Sequence, residues 1–166
     1  MSERPRIEAR QRHERPHVLV VTDDPGLATF LEEGLPLGGF WMSLIASGLQ
    51  ALEVFRLRQF DLVLIDLDLE SFRALELIRR LRGLSDRVSD DTPRTLAPIL
   101  TIASVEDLDD VDRRALDIAD AMKAPIDIED VVQRLHEAFG VWRQANPDAQ
   151  LADAVSASAA SASRKR

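Results

Sequence analysis

The stretch "HVLVVTDDPGLATF", His17 to Phe30, decides how the rest of the chain is read. Val18 to Val21 is a short, uninterrupted, largely β-branched apolar run, the pattern of a strand covered on both faces in a parallel sheet. Two aspartates end it, and Pro25 and Gly26 follow. Pro25 suits the first position of a helix, where a missing N–H costs nothing, and Asp24 suits the N-cap before it. Leu27, Phe30, Leu31 and Leu35 then recur at helical spacing until Pro36, Gly38 and Gly39 break the pattern. The unit is therefore a strand, an acidic turn and a helix.

Working outward, the same unit repeats. "FWMSLIA", Phe40 to Ala46, reads as a second strand, and Ser47 to Gln50 forms a capping-box pattern that opens a helix to about Arg58. "DLVLIDL", Asp61 to Leu67, is the third and most apolar strand. The helix "SFRALELIRRLR" that follows puts Ala74, Leu77, Ile78 and Leu81 on one side and ends near Gly83. Leu84 to Ala97 is a long polar loop without a pattern of its own. Pro98 introduces "ILTIA" as a fourth strand, Val111, Ala115 and Ile118 mark a helix, and "AMKA", Ala121 to Ala124, reads as a fifth strand. A last helix runs from about Asp127 to Trp142, with Val131, Leu135, Phe139 and Trp142 along one face.

Five strands alternating with five helices predict one α/β domain with a doubly wound parallel sheet, covered on both faces because crossovers are right-handed. The expected order is the flavodoxin-like (βα)5 arrangement 2-1-3-4-5, over residues 17–142. Residues 1–16 are polar and arginine-rich, and residues 143–166 end in an alanine/serine-rich tail. Both flanks are expected to be disordered, the second from about Asn146.

Composition narrows the chemistry. The chain of 166 residues has no cysteine, which excludes disulfides, thiolate metal sites and cysteine nucleophiles. Its three histidines, His13, His17 and His136, have no ligand spacing and read as solvated or boundary residues. A net charge of −8 argues against direct nucleic-acid binding, the arginines of the first 16 residues and the closing "SRKR" reading as solubilising flanks. No run approaches the roughly 18 apolar residues of a membrane span, and the first residues lack a signal peptide's apolar centre, so the expectation is cytoplasmic.

In an open parallel sheet, ligands bind at the carboxyl ends of the strands where the winding reverses, here between the first and third strands. Asp23 and Asp24 end the first strand, and Asp66 and Asp68 end the third. Carboxylates gathered there repel one another and raise each other's pKa unless a cation sits among them. Mg²⁺ suits such a place, because it takes one or two carboxylates, keeps waters and pairs with phosphate. Asp24 is claimed as much by the helix cap as by a metal. Asp23 has no such role, and Asp66 follows a buried strand where a bare charge is costly, so these two are the stronger functional candidates.

The elements "VLVVTDDP", "FDLVLIDLDLESFRALELIRRLR", "APILTIAS" and "IADAMKAPIDIEDVVQRL" together resemble a response-regulator receiver domain of two-component signalling, over about Val18 to Trp142. The resemblance implies that Asp66 is the aspartate that accepts a phosphoryl group from a histidine kinase, as an acyl phosphate. It implies Mg²⁺ held by Asp23, Asp66 and the main chain of Asp68, with Asp24 in a variable place. It also marks departures. With Pro25 in register, the first acid of the family's pair falls on Thr22, which removes a charge and weakens Mg²⁺ binding. The hydroxyl of the fourth strand falls on Ala103, with Ser104 one step later. The aromatic switch position falls on Ala121 and the lysine position on Ala124, with Lys123 one step early. The family's proline and glycine after the phosphoacceptor become Glu70 and Ala74. Adjacent strand residues face opposite ways, so neither Ser104 nor Lys123 simply substitutes unless a local bulge shifts it.

That pattern resembles atypical or pseudo-receivers. The expectation is a stand-alone, non-enzymatic receiver in a phosphorelay, acting by contact with a histidine kinase or another signalling protein. Phosphorylation of Asp66 is reduced or absent, and a homodimer is left open. The alternative is a phosphorylatable, Mg²⁺-dependent receiver with altered kinetics. A remoter one reads "DLD" as a phosphatase signature, with Asp66 as nucleophile and Asp68 as general acid.

Overall fold

The computed structural model describes residues 15–69, 73–85 and 94–153. Its elements are β1 (His17–Val21), α1 (Pro25–Gly34), β2 (Trp41–Ile45), α2 (Gly48–Leu57), β3 (Leu62–Asp66), α3 (Ala74–Leu81), β4 (Ile99–Ala103), α4 (Asp110–Ala115), β5 (Ile118–Lys123) and α5 (Ile128–Ala145). The strands form one parallel sheet in the order β2-β1-β3-β4-β5, as the sequence predicts.

Strand alternation divides the core into two layers. Val18, Val20, Leu62, Leu64, Leu100 and Ile102 face α1 and α5, where Leu31, Leu35, Val131, Leu135 and Phe139 close over them. Leu19, Val21, Val63, Ile65 and Ile99 face the other way, onto Ala51 and Leu52 of α2 and the Ala74, Leu77, Ile78 and Leu81 stripe of α3. At about 1.5–3 kcal/mol for each fully buried aliphatic side chain, these two layers supply most of the drive to fold. Where α1 and the turn after it pass α5, no side chain fits between them. A Cβ on Gly34 would lie 2.2 Å from Ile128 Cγ1, and one on Gly38 would lie 2.5 Å from Val132 Cγ2.

The local signals hold where a cap or a break is written into the sequence. Asp24 Oδ1 accepts the Gly26 N–H at 2.9 Å, and Ser47 Oγ accepts the Gln50 N–H at 3.2 Å. Beyond α3, Gly83 takes a φ of 73°, the left-handed turn that glycine tolerates.

Two expectations need correction. Val111, Ala115 and Ile118 do not form a buried helical face: α4 is six residues long, Val111 is 76% exposed, and Ile118 is the first residue of β5. Leu108 and Leu116, which flank α4, reach the core instead, and Asp117, at a φ of 51°, turns the chain straight into β5. β5 therefore begins three residues before the expected Ala121. The second correction concerns the end of the domain. α5 continues past Trp142 to Ala145, Leu151 packs on the core and Ala152 is buried. Asp61, buried at the start of β3, explains this, since its Oδ1 accepts the Ala152 N–H at 2.8 Å and its Oδ2 accepts the His17 N–H at 2.8 Å.

Beside this pair, Asp153 bonds to His17 Nδ1 at 3.0 Å and to Arg58, and His17 Nε2 meets Ser43 Oγ at 2.8 Å. His17 is thus buried in a polar cluster rather than solvated, and its desolvation depresses its pKa against the upward pull of Asp153. The expectations for residues 1–14 and 154–166, for Glu70 and for 86–93 of the long loop lie outside the described residues. Among the described residues, no helix is long and apolar enough to cross a membrane.

Candidate functional site

The site lies at the carboxyl ends of β1, β3 and β4, at the opposite edge of the sheet from Asp61. Pairing of Val21 with Ile65 brings Thr22 beside Asp66, and pairing of Asp66 with Ile102 brings the loop after β4 alongside. Asp66 is 5% exposed, and both of its carboxylate oxygens are engaged. Oδ2 accepts the Thr22 hydroxyl at 2.8 Å, and Oδ1 accepts the Asp68 N–H at 2.9 Å. Thr22 Oγ1 in turn accepts the Asp24 N–H at 3.1 Å, which fixes the hydroxyl's direction.

Burial pushes the Asp66 carboxyl above the usual carboxylate range. The N–H of Asp68 and the hydroxyl of Thr22 pull it back, while the charges of Asp68 and Asp23 push it further up. Asp23 is exposed and close enough for its charge to act on Asp66. Asp24 is spent as the cap of α1.

The Asp68 side chain has a role that its sequence position does not disclose. Its carboxylate accepts the backbone N–H of Ser104 at 2.6 Å, Val105 at 3.3 Å and Glu106 at 2.9 Å. Partial burial pushes this carboxyl up, but the donors at Glu106, Ser104 and Val105, with the Ser104 side chain, hold it below its ordinary value. Ser104, one residue past the family-type hydroxyl position, therefore serves Asp68. Ala103 itself is a buried residue of the core. Lys123, the last residue of β5, is likewise paired on the loop: its Nζ lies 2.6 Å from Asp107 Oδ1 between β4 and α4.

A family model for the response regulator receiver domain matches residues 18–136. The chain belongs to this family. It is 28% identical over 127 residues to the regulatory protein VirG of Agrobacterium tumefaciens (strain 15955), an alignment covering 75% of this chain and 44% of VirG. It is 42% identical over 69 residues to the DNA-binding response regulator MtrA of Mycolicibacterium smegmatis, covering 42% of this chain and 30% of MtrA. The chain thus spans less than half the length of these relatives. Among solved structures, it resembles a CheY-like receiver domain from Methylobacillus flagellatus at 25% identity, with a TM-score of 0.62 over 75% of this chain and 99% of that one.

For a receiver, the Mg²⁺ question turns on the donors at hand. Among the described residues, no three acidic or histidine side chains surround a common metal position. Asp23 and Asp66 offer two carboxylates, within the one or two that a hydrated Mg²⁺ takes. The donor set fits a Mg²⁺ that keeps most of its waters, not one caged by protein.

Proposed function

We propose that this receiver signals by contact with other proteins of a two-component pathway, with phosphoryl transfer to Asp66 slowed by its own surroundings. The observation that carries the reading is the double engagement of Asp66, by the Thr22 hydroxyl and the Asp68 N–H, at a site with alanine at positions 103 and 124.

The chemistry runs as follows. An Asp66 oxygen attacks the phosphorus of an acyl or histidyl phosphate. The new O–P bond forms as the bond to the leaving group breaks, and the leaving group departs with its electron pair. Charge builds on the phosphoryl oxygens, and a Mg²⁺ held by Asp23, Asp66 and the Asp68 main chain would offset it. Thr22 works against the attack, because its hydroxyl holds Oδ2 while the Asp68 N–H holds Oδ1, so the attacking oxygen must share or shed a donor. The missing cation and hydroxyl leave the incoming phosphoryl group with fewer donors. Phosphorylation is therefore a slow event on a domain that serves as a binding module and not as a turnover enzyme. The phosphatase reading loses its general acid, since the Asp68 carboxylate is held ionised by three backbone donors.

Intact mass after incubation with acetyl phosphate and Mg²⁺ tests the proposal. Wild type should gain the phosphoryl mass slowly and partially, Asp66→Asn not at all, and Thr22→Asp faster than wild type, because a carboxylate at position 22 adds metal affinity and frees Oδ2. Rapid, complete labelling of wild type that Asp66→Asn abolishes would overturn the reading in favour of the fully phosphorylatable receiver.

A further inference from the structure

We infer that the Asp68 carboxylate acts as a built-in anion that holds the β4–α4 loop in place without any phosphoryl group at Asp66. The inference deepens the reading above, on which phosphorylation is slow.

Three successive backbone N–H groups, from Ser104, Val105 and Glu106, converge on this one carboxylate. Such a run of N–H groups forms a concave nest for an anion. Bonds from N–H to an ionised acceptor are the shorter and stronger kind, and two of the three here are at or below 2.9 Å. The same residue's main chain donates to Asp66 Oδ1, so one two-residue step of chain joins the phosphoacceptor to the loop. The far end of the loop is tied separately, through Asp107 to Lys123 on β5.

Two consequences follow for a receiver of this kind. A nest filled by Asp68 has no donors to spare for a group arriving at Asp66, so the loop does not reorganise around it. The exposed residues that the loop carries, among them Val105 and Glu106, keep one arrangement regardless of the state of Asp66. Asp68 is thus a positioning residue: it sets the surface offered to a partner through the loop.

Amide hydrogen exchange and NMR on the full chain test this. In wild type, the amides of residues 104–106 should be protected without any phosphoryl donor, and Asp66→Asn should leave them so. Asp68→Ala should expose them about tenfold or more, as expected for losing charge-assisted hydrogen bonds. Asp68→Asn, which keeps one acceptor oxygen, should restore part of the protection, and the Ser104 and Glu106 amide proton resonances should move upfield in the order Asn then Ala. Protected amides in β3 and β4 would confirm that each variant is folded. The inference is overturned if Asp68→Ala leaves the loop protected, or if Asp66→Asn exposes it as fully. It is also overturned if acetyl phosphate and Mg²⁺ rearrange the loop in wild type. Because the exchange readouts on wild type and the variants without a phosphoryl donor need no adduct, the inference and the proposed slow phosphorylation can fail independently.

Discussion

Removing the Asp61 carboxylate by Asp61→Ala strips acceptors from two N–H groups at the amino edge of the sheet, those of His17 and Ala152, each 2.8 Å away. Each lost bond leaves a donor unpaired, at about 1–3 kcal/mol when buried, while the variant also sheds the cost of desolvating a carboxylate that is 6% exposed. The balance is a loss of about 2–4 kcal/mol, or roughly 4–16 °C in Tm for a domain of this size. Urea unfolding followed by tryptophan fluorescence measures it, with Trp142 lining the cavity of about 340 Å³ that Asp61 and Ala152 share. The pH dependence adds a second signature. Desolvation pushes the folded Asp61 carboxyl up, against the pull of the His17 and Ala152 N–H groups, with Asp153 pushing it further. The folded chain then holds a proton that the unfolded chain releases above its ordinary value of about 3.9. This contribution is full below that value and is lost as pH rises through the folded one, so wild type should exceed the variant by more in acid than at neutrality. A variant within about 0.5 kcal/mol of wild type, with the same pH profile, would refute the reasoning.

Asp24→Ala should cost about 1 kcal/mol through the lost cap of α1 and leave Mg²⁺ binding near its wild-type strength, which a titration read by NMR would check. Gly34→Ala, normally a stabilising change inside a helix, should instead lose about 1–2 kcal/mol in urea unfolding, because its Cβ would meet Ile128 at 2.2 Å. A gain in stability there would mean that Ile128 moves aside freely.

The fold was legible because its signals are local and repeated. Apolar runs such as Leu62 to Ile65 are too continuous for a half-exposed strand, and Pro25, Ser47 and Gly83 mark where elements begin or stop. The place of Asp66 was legible for the same reason, as an acid at the end of the most apolar run, and it lies buried at the end of β3. α4 was not, because it buries none of its own residues and its flanking leucines do the packing, so periodicity pointed to the wrong face. The side-chain roles of Thr22 and Asp68 are set by contacts across 44 and 36–38 residues of sequence, which no window of spacing can contain. The end of the domain was misread for a similar reason. An alanine/serine tail has the composition of disorder, yet one buried carboxylate 91 residues away holds its first part.

The Asp61 contact also fixes where the domain can be cut. A fragment that stops with the last turn of α5 at Ala145 removes the donor at Ala152 and uncovers the acceptor it served. Such a fragment should be less stable than one that keeps Ala152, by the cost of leaving the Asp61 acceptor unpaired. Asp153 also sits beside the first residue of β1, at the far edge of the sheet from Asp66. Asp66 and Asp153 therefore stand at opposite ends of β3, and any coupling between them would run the full length of that strand.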